Sequence, residues 1–204
     1  MAYDKIIPIR RRMGTEADTQ RLRSRKNRSQ LDRKGAMMMR LFLAINLSDP
    51  IKDALTEAQA ALRRQGVRGK ETARENLHLT LAFIGEYNDP EGVMDAVEAV
   101  PFQPFSLELQ GFGRFGNLYW AGTAPCEELT AYVRRLRRAL GDNGIPFDRK
   151  GFSPHITLLR KAVSRRGLPS VPISGAGMEV TRISLMRSDR GKNGMIYTEI
   201  GFVE

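Results

Sequence analysis

His78-Leu79-Thr80-Leu81 and His155-Ile156-Thr157-Leu158 decide the reading of this chain, because they hold its only two histidines and set both in the same four-residue pattern. Each opens or sits within an apolar run, Leu77 to Ile84 and Ile156 to Leu159. In a strand, residues i and i+2 share one face while i+1 and i+3 share the other. The spacing therefore predicts two strands that each turn an imidazole and a hydroxyl one way and aliphatic side chains the other. Two such strands facing each other across a cleft would complete a single site.

The flanking sequence supplies elements for both halves. Arg40 to Leu47 reads as a strand, and Ser48-Asp49-Pro50 as a helix start, with a capping side chain and proline in the first turn. That helix is expected to run to about Gln65. After a loop and the first motif strand (about Asn76 to Gly85), Asp89-Pro90-Glu91 repeats the start signal for a helix to about Val100. Phe105 to Gly111 alternates and pairs with Leu118 to Gly122 across a glycine-rich turn. Cys126 to Leu140 carries Leu129, Val133, Leu136 and Leu140 on one stripe and ends at Gly141. The second motif strand, about Ser153 to Lys161, leads into a loop rich in Pro and Gly. Strands near Val180 to Ser188 and Gly194 to Val203 close the chain around an Asn193-Gly194 turn. Strands mixed with a few helices give an α+β fold. The motif strands recur about 77 residues apart, as two similar lobes from a duplication would require.

Charge is unevenly spread. The chain carries a formal net charge of +10, yet residues 1–38 hold 11 Lys and Arg against 4 Asp and Glu, whereas the other 166 residues net only +3. The basicity thus belongs mainly to an N-terminal extension, 1–38, whose composition predicts disorder. Met37-Met38-Met39 stands just before the first strand, so a start codon chosen too far upstream and a genuine basic arm are both open readings. An Arg-rich targeting peptide fits less well, with four acidic residues interrupting it. The domain is expected to span residues 39–204. Cys126 is the only cysteine, which excludes an intrachain disulfide framework and a Cys-rich metal site. The longest aliphatic runs are strand-length, so neither a membrane span nor a secretory signal is expected. A soluble, cytoplasmic monomer is the expectation.

Other patterns carry less. Gly111-Phe112-Gly113-Arg114-Phe115-Gly116 matches a dinucleotide fingerprint by letter, but strand-like Leu118-Tyr119-Trp120 stands next where a helix N-terminus is needed. A turn between strands is the better account. Arg134, Arg135, Arg137 and Arg138 flank the apolar stripe of their helix, as a solvated face does, with an RNA track as the alternative. Arg160-Lys161 and Arg165-Arg166 lie just beyond the second motif, where a phosphodiester would approach. Tyr119, Trp120 and Phe83 are candidates for base stacking or for core packing. Two histidines without a second cysteine or a carboxylate cluster make a poor metal set, and no cofactor is expected.

Two imidazoles, one neutral and one protonated near neutral pH, provide a base and an acid in one site. That suits in-line displacement at phosphorus, with Thr80 and Thr157 placed to donate hydrogen bonds to phosphoryl oxygens.

Paired His-x-Thr-hydrophobic motifs in a chain of this size resemble the two-histidine (2H) phosphoesterase superfamily, in particular its RNA 2′,3′-cyclic phosphodiesterase branch, also called 2′-5′ RNA ligases. The likeness extends to Arg40-Leu41-Phe42-Leu43-Ala44-Ile45, to Glu75 through Glu86, to Phe152 through Leu158 with Arg160, and to Leu185-Met186-Arg187-Ser188 with Gly194 and Tyr197. It implies a bilobal fold of two pseudo-twofold-related sheet-plus-helix lobes around a central cleft. It also implies metal-independent opening of RNA 2′,3′-cyclic phosphate ends, tRNA-derived ends among them, to 2′-phosphomonoesters. By the same resemblance His78 is the proton donor, His155 the proton acceptor, and Thr80, Thr157 and Arg160 bind phosphate. Leu159 stands where relatives often have alanine and Ala82 where lysine is common, which puts substrate contacts in question. Other activities of the superfamily remain as alternatives: 2′-5′ RNA ligation or cleavage and ADP-ribose 1″,2″-cyclic phosphate hydrolysis. A non-catalytic RNA-binding protein is the alternative from outside the enzyme class.

Overall fold

The computed structural model describes residues 37–164, 167, 169, 171–192 and 194–204; the expectations for residues 1–36, for Arg165-Arg166 and for Asn193 lie outside them. In chain order the elements are β1 (Met39–Asn46), α1 (Asp49–Arg64), β2 (Arg68–Glu71), a 3-10 turn (Arg74–Asn76), β3 (His78–Tyr87), α2 (Pro90–Glu98), β4 (Phe105–Phe115), β5 (Leu118–Thr123), α3 (Glu127–Asp142), β6 (His155–Val163), β7 (Ser174–Val180), β8 (Ile183–Arg190) and β9 (Met195–Val203).

The strands form two antiparallel sheets, β3-β1-β8-β9 and β2-β6-β5-β4-β7. The expected α+β, two-lobed architecture is thus present. The first sheet maps onto β6-β5-β4-β7 of the second, so β3 and β6, the two motif strands, occupy equivalent places. In each lobe a strand–helix–strand unit (β1-α1-β3; β5-α3-β6) leads to the motif. The helices cross over, however: α1 packs on β6 and β7 of the second sheet, and α3 reaches β3 of the first. One apolar core accordingly unites Leu41, Leu43, Ile45, Leu79 and Leu81 of the first sheet with Leu107, Tyr119, Ile156 and Leu158 of the second. Neither lobe would bury its own apolar face alone.

Several local expectations are corrected. Ser48 sits at the N-cap of α1 but its side chain makes no capping bond, and its Oγ is buried without a partner among the described residues. The proline fixes that start instead. Asp89 does cap α2, accepting from Gly92 N at 2.8 Å, and Cys126 Sγ caps α3 by accepting from Leu129 N at 3.4 Å. The polar, glycine-containing β2 and β7 stand where the sequence pattern predicts loops; they are held by pairing with β6 and β4 rather than by apolar alternation. Gly116 turns β4 into β5 at φ +58°, so the glycine-rich stretch is a hairpin and not a phosphate-binding loop.

Candidate active site

Each motif strand carries the same irregularity. Along β3, Ala44 pairs with Thr80 and Leu43 with Ala82, so Leu81 is a bulge; along β6, Trp120 pairs with Thr157 and Tyr119 with Leu159, so Leu158 is the matching bulge. A bulge adds one residue to a strand and moves the residues after it to the other face. Strict alternation would have turned Ala82 and Leu159 toward the cleft. Both are instead buried in the core, and Phe83 and Arg160 take the cleft positions. The two departures from the family pattern therefore concern packing and not substrate contact.

Side chains of the crossed-over helices donate to both bulged carbonyls, and Leu158 O accepts from Thr72 N (2.9 Å) as well. Arg137 of α3 donates to Leu81 O (3.0 Å) and to Lys150 O (2.8 Å). Gln59 of α1, itself 4% exposed, donates to Leu158 O (2.9 Å) and Thr72 O (2.8 Å). A buried carbonyl left unpaired costs about 1–3 kcal/mol, a cost that Arg137 offsets at Leu81 O and Gln59 offsets at Thr72 O, next to the second bulge. Arg137 thus belongs to the fold and not to an RNA track, and Arg138 pairs with Asp142.

Both imidazoles are anchored alike. A carbonyl can only accept, so Nδ1–H of His78 donates to Asn76 O (2.7 Å) and Nδ1–H of His155 to Ser153 O (2.8 Å). In each ring this leaves Nε2 as the working nitrogen. Around that shared anchor the surroundings differ. Nε2 of His78 accepts from the Thr80 hydroxyl at 3.0 Å, and Phe42 and Tyr197 pack against the ring at centroid distances of 4.9 and 5.1 Å. This burial pushes the His78 pKa down to about 4; the bond to Asn76 opposes the shift, while the charges of Arg160 and His155 add to it. His155 is half-buried beside Phe115 and Trp120, at 5.2 and 6.4 Å, and no hydrogen bond reaches its Nε2 among the described residues.

Two grooves meet at these residues. One of about 910 Å³ is lined by Arg40, Phe42, His78, Thr80, Phe83 and Arg160, and one of about 490 Å³ by Lys70, Asn76, His78, Thr157, Arg160 and Lys192. Tyr197 lines both. Of the five residues expected at the site, His78, Thr80, Thr157 and Arg160 therefore share this space. His155 lines neither groove, yet lies close enough for its charge to act on His78. Tyr119 is 2% exposed in the core and is no stacking candidate, whereas Phe83 faces the groove with Arg40 stacked 4.6 Å above its ring. Sequence reasoning misses Phe115, which lies inside the glycine-rich pattern assigned to a turn. Among the described residues no three His, Cys, Asp or Glu side chains converge as metal ligands would, and no helix is long and apolar enough to cross a membrane.

Two sheets meeting at paired His-x-Thr strands define a two-histidine phosphoesterase. The crystal structure of E. coli LigT complexed with 3′-AMP is similar with a TM-score of 0.71 at 28% identity, covering 81% of this chain and 97% of LigT. The crystal structure of TT0787 of Thermus thermophilus matches with a TM-score of 0.68 at 30% identity, covering 81% and 97%. In sequence, RNA 2′,3′-cyclic phosphodiesterases are 34% identical from Thermus thermophilus (78% of this chain, 87% of the relative) and 31% identical from Archaeoglobus fulgidus (81% and 100%). The family model described as the 2′-5′ RNA ligase superfamily matches residues 47–192, and the chain belongs to that superfamily.

Proposed function

We propose that this protein hydrolyses RNA ends bearing a 2′,3′-cyclic phosphate to 2′-phosphomonoesters, by acid and base catalysis from its histidine pair and with no step routed through a metal. The observation that carries this reading is the common anchoring of both imidazoles through Nδ1, which leaves each Nε2 available for proton transfer, with His155 near enough for its charge to act on His78. The relatives' activity supports the same substrate class. In the reaction, Nε2 of His155 takes a proton from water as its oxygen bonds to phosphorus. The P–O3′ bond breaks, and Nε2–H of His78 supplies the proton that O3′ needs. Acid and base assistance are each worth roughly 10²- to 10⁴-fold in rate. Thr80, Thr157 and Arg160 hold the non-bridging oxygens as charge shifts onto them.

The low pKa of His78 fits this scheme through the substrate. In the free protein the ring is neutral at neutral pH, with Thr80 donating to Nε2. An anionic cyclic phosphodiester beside Nε2 favours the imidazolium, so the acid is charged as substrate arrives. The Thr80 hydroxyl is then released toward a phosphoryl oxygen. We take RNA ends, tRNA-derived ends among them, as the substrate, met by a monomer in the cytoplasm.

The test is incubation with EDTA of an oligoribonucleotide ending in a 2′,3′-cyclic phosphate, with the product read by phosphorus NMR. A 2′-phosphate from the wild type, absent with His78→Ala and His155→Ala, is expected. A 3′-phosphate, or loss of turnover on chelation, would overturn the reading.

A further inference from the structure

Phe115 is a large apolar side chain left 47% exposed at the end of β4, beside a residue assigned to the chemistry. By strand alternation and register it shares the cleft face with Gly113 and Trp120, across from Thr157. Its ring stacks at a 35° tilt on Trp120, centroids 5.2 Å apart, and stands edge-on to His155 at 88° and 5.2 Å. The indole itself lies over Gly113, where a Cβ would come within 2.3 Å of Trp120 Cζ2. A flat aromatic layer is thus seated on a bare stretch of strand and ends in an exposed ring.

The counterpart of Phe115 in the first sheet, by strand order and register, is Met186, which is 7% exposed and packs with Phe42 and Ala44 in a small cluster. Phe115 has no such burial. Exposed rings near a site of RNA chemistry serve nucleobases, because every base offers a π-face.

Position selects which base. In-line displacement sets entering and leaving oxygens on opposite sides of phosphorus. With O3′ departing at His78, the terminal ribose lies toward His78, and Phe115 lies on the side where the attacking oxygen enters. Water in that place needs no aromatic surface; a nucleoside attached through its 5′ oxygen does. We propose that Phe115, backed by Trp120, stacks the nucleobase of a second nucleoside whose 5′ oxygen occupies the water position at His155. This rests on the phosphodiesterase reading and its assignment of roles. It gives the cleft a subsite for the 5′-oxygen side of a 2′-5′ linkage.

The experiment uses the full chain and inhibition of nucleoside 2′,3′-cyclic phosphate hydrolysis by two competitors, adenosine 2′-monophosphate and the 2′-5′-linked dinucleotide ApA. Stacking of one base is worth a loss of roughly tenfold in affinity on removal. The dinucleotide should bind the wild type about tenfold more tightly than the mononucleotide. Phe115→Leu should erase that ratio, and Phe115→Tyr should keep it. Trp120, the only tryptophan in the chain, should lose fluorescence with the dinucleotide and not with the mononucleotide. A dinucleotide with no advantage, or an advantage that survives in Phe115→Leu, overturns the subsite. An equal loss for both competitors also overturns it, placing Phe115 against the terminal base. Failure of the wild type to hydrolyse the cyclic phosphate at all would instead strike the phosphodiesterase reading.

Discussion

The two motif strands have the same bulge and the same imidazole anchor, and each bulge carbonyl accepts from a helix side chain, yet they deliver their histidines into different surroundings. His78 is wrapped by Phe42 and Tyr197 and bonded to Thr80; His155 stands at an open edge beside Phe115. The shared backbone frame anchors both rings through Nδ1, and local packing at His78 lowers that ring's affinity for a proton. One repeated frame can in this way hold two histidines in different packing. The contrast between Phe83 and Arg160, each just past its bulge, makes the same point: equivalent backbone positions hold an aromatic on one side and a cation on the other.

The largest effects should come from the histidines themselves. His78→Ala and His155→Ala are each expected to lower kcat by roughly 10²- to 10⁴-fold on a cyclic phosphate, with folding intact by circular dichroism. Equal, mild losses would mean that neither ring transfers a proton. Next in size is Arg160→Gln, which removes the cation and not the fold. A rise in KM of roughly 10- to 100-fold is expected, diminishing for the wild type at high salt. An unchanged KM would remove Arg160 from phosphate binding.

The bulges come third. Gln59→Leu leaves Thr72 O without its side-chain partner, which should cost roughly 1–3 kcal/mol in urea unfolding. It should also weaken substrate binding through a misplaced Arg160. Arg137→Met should destabilise by a similar amount while acting on the Phe83 side. If Gln59→Leu lowers stability and leaves KM untouched, the bulge does not aim Arg160.

An effect of similar size, confined to acid pH, comes from His78. For a histidine whose folded pKa lies below its unfolded value of about 6.5, the unfolded chain binds more protons between the two values. The stability from His78 is therefore fully present above about 6.5 and lost as pH falls toward about 4. Over that window the loss is up to roughly 3 kcal/mol, and His78→Ala should lack this component. Smallest of all is Arg138→Ala on the exposed face of α3, expected within about 0.5 kcal/mol of wild type and equal to it in turnover. A marked loss of RNA affinity there would revive the basic face as an RNA track.

Much of this is legible in the sequence alone. The His-x-Thr alternation places both imidazoles and both hydroxyls on one face, and the proline and Asp89 signals find the helix starts. What the sequence hides has physical causes. A leucine that bulges looks like a leucine that alternates, so the exchange of Ala82 for Phe83 and of Leu159 for Arg160 at the cleft cannot be read. Tyr119 and Trp120 are adjacent aromatics on opposite faces, and only the register with Thr157 and Leu159 tells which enters the core. The crossing of α1 and α3 between lobes depends on tertiary packing and leaves no mark in either helix's own periodicity. Gln59 looks like a surface residue on an amphipathic helix until the carbonyls it serves are known.

The central claim, that packing by Phe42 and Tyr197 holds His78 as a neutral ring in the free protein, is tested most directly by proton NMR titration of the imidazoles. The chain has only these two histidines, and His155→Ala assigns the spectrum. His78 is predicted to titrate near about 4 in the free protein and to move upward when adenosine 2′-monophosphate fills the site. A His78 resonance titrating at the ordinary histidine value of about 6.5, unmoved by the nucleotide, would contradict the account.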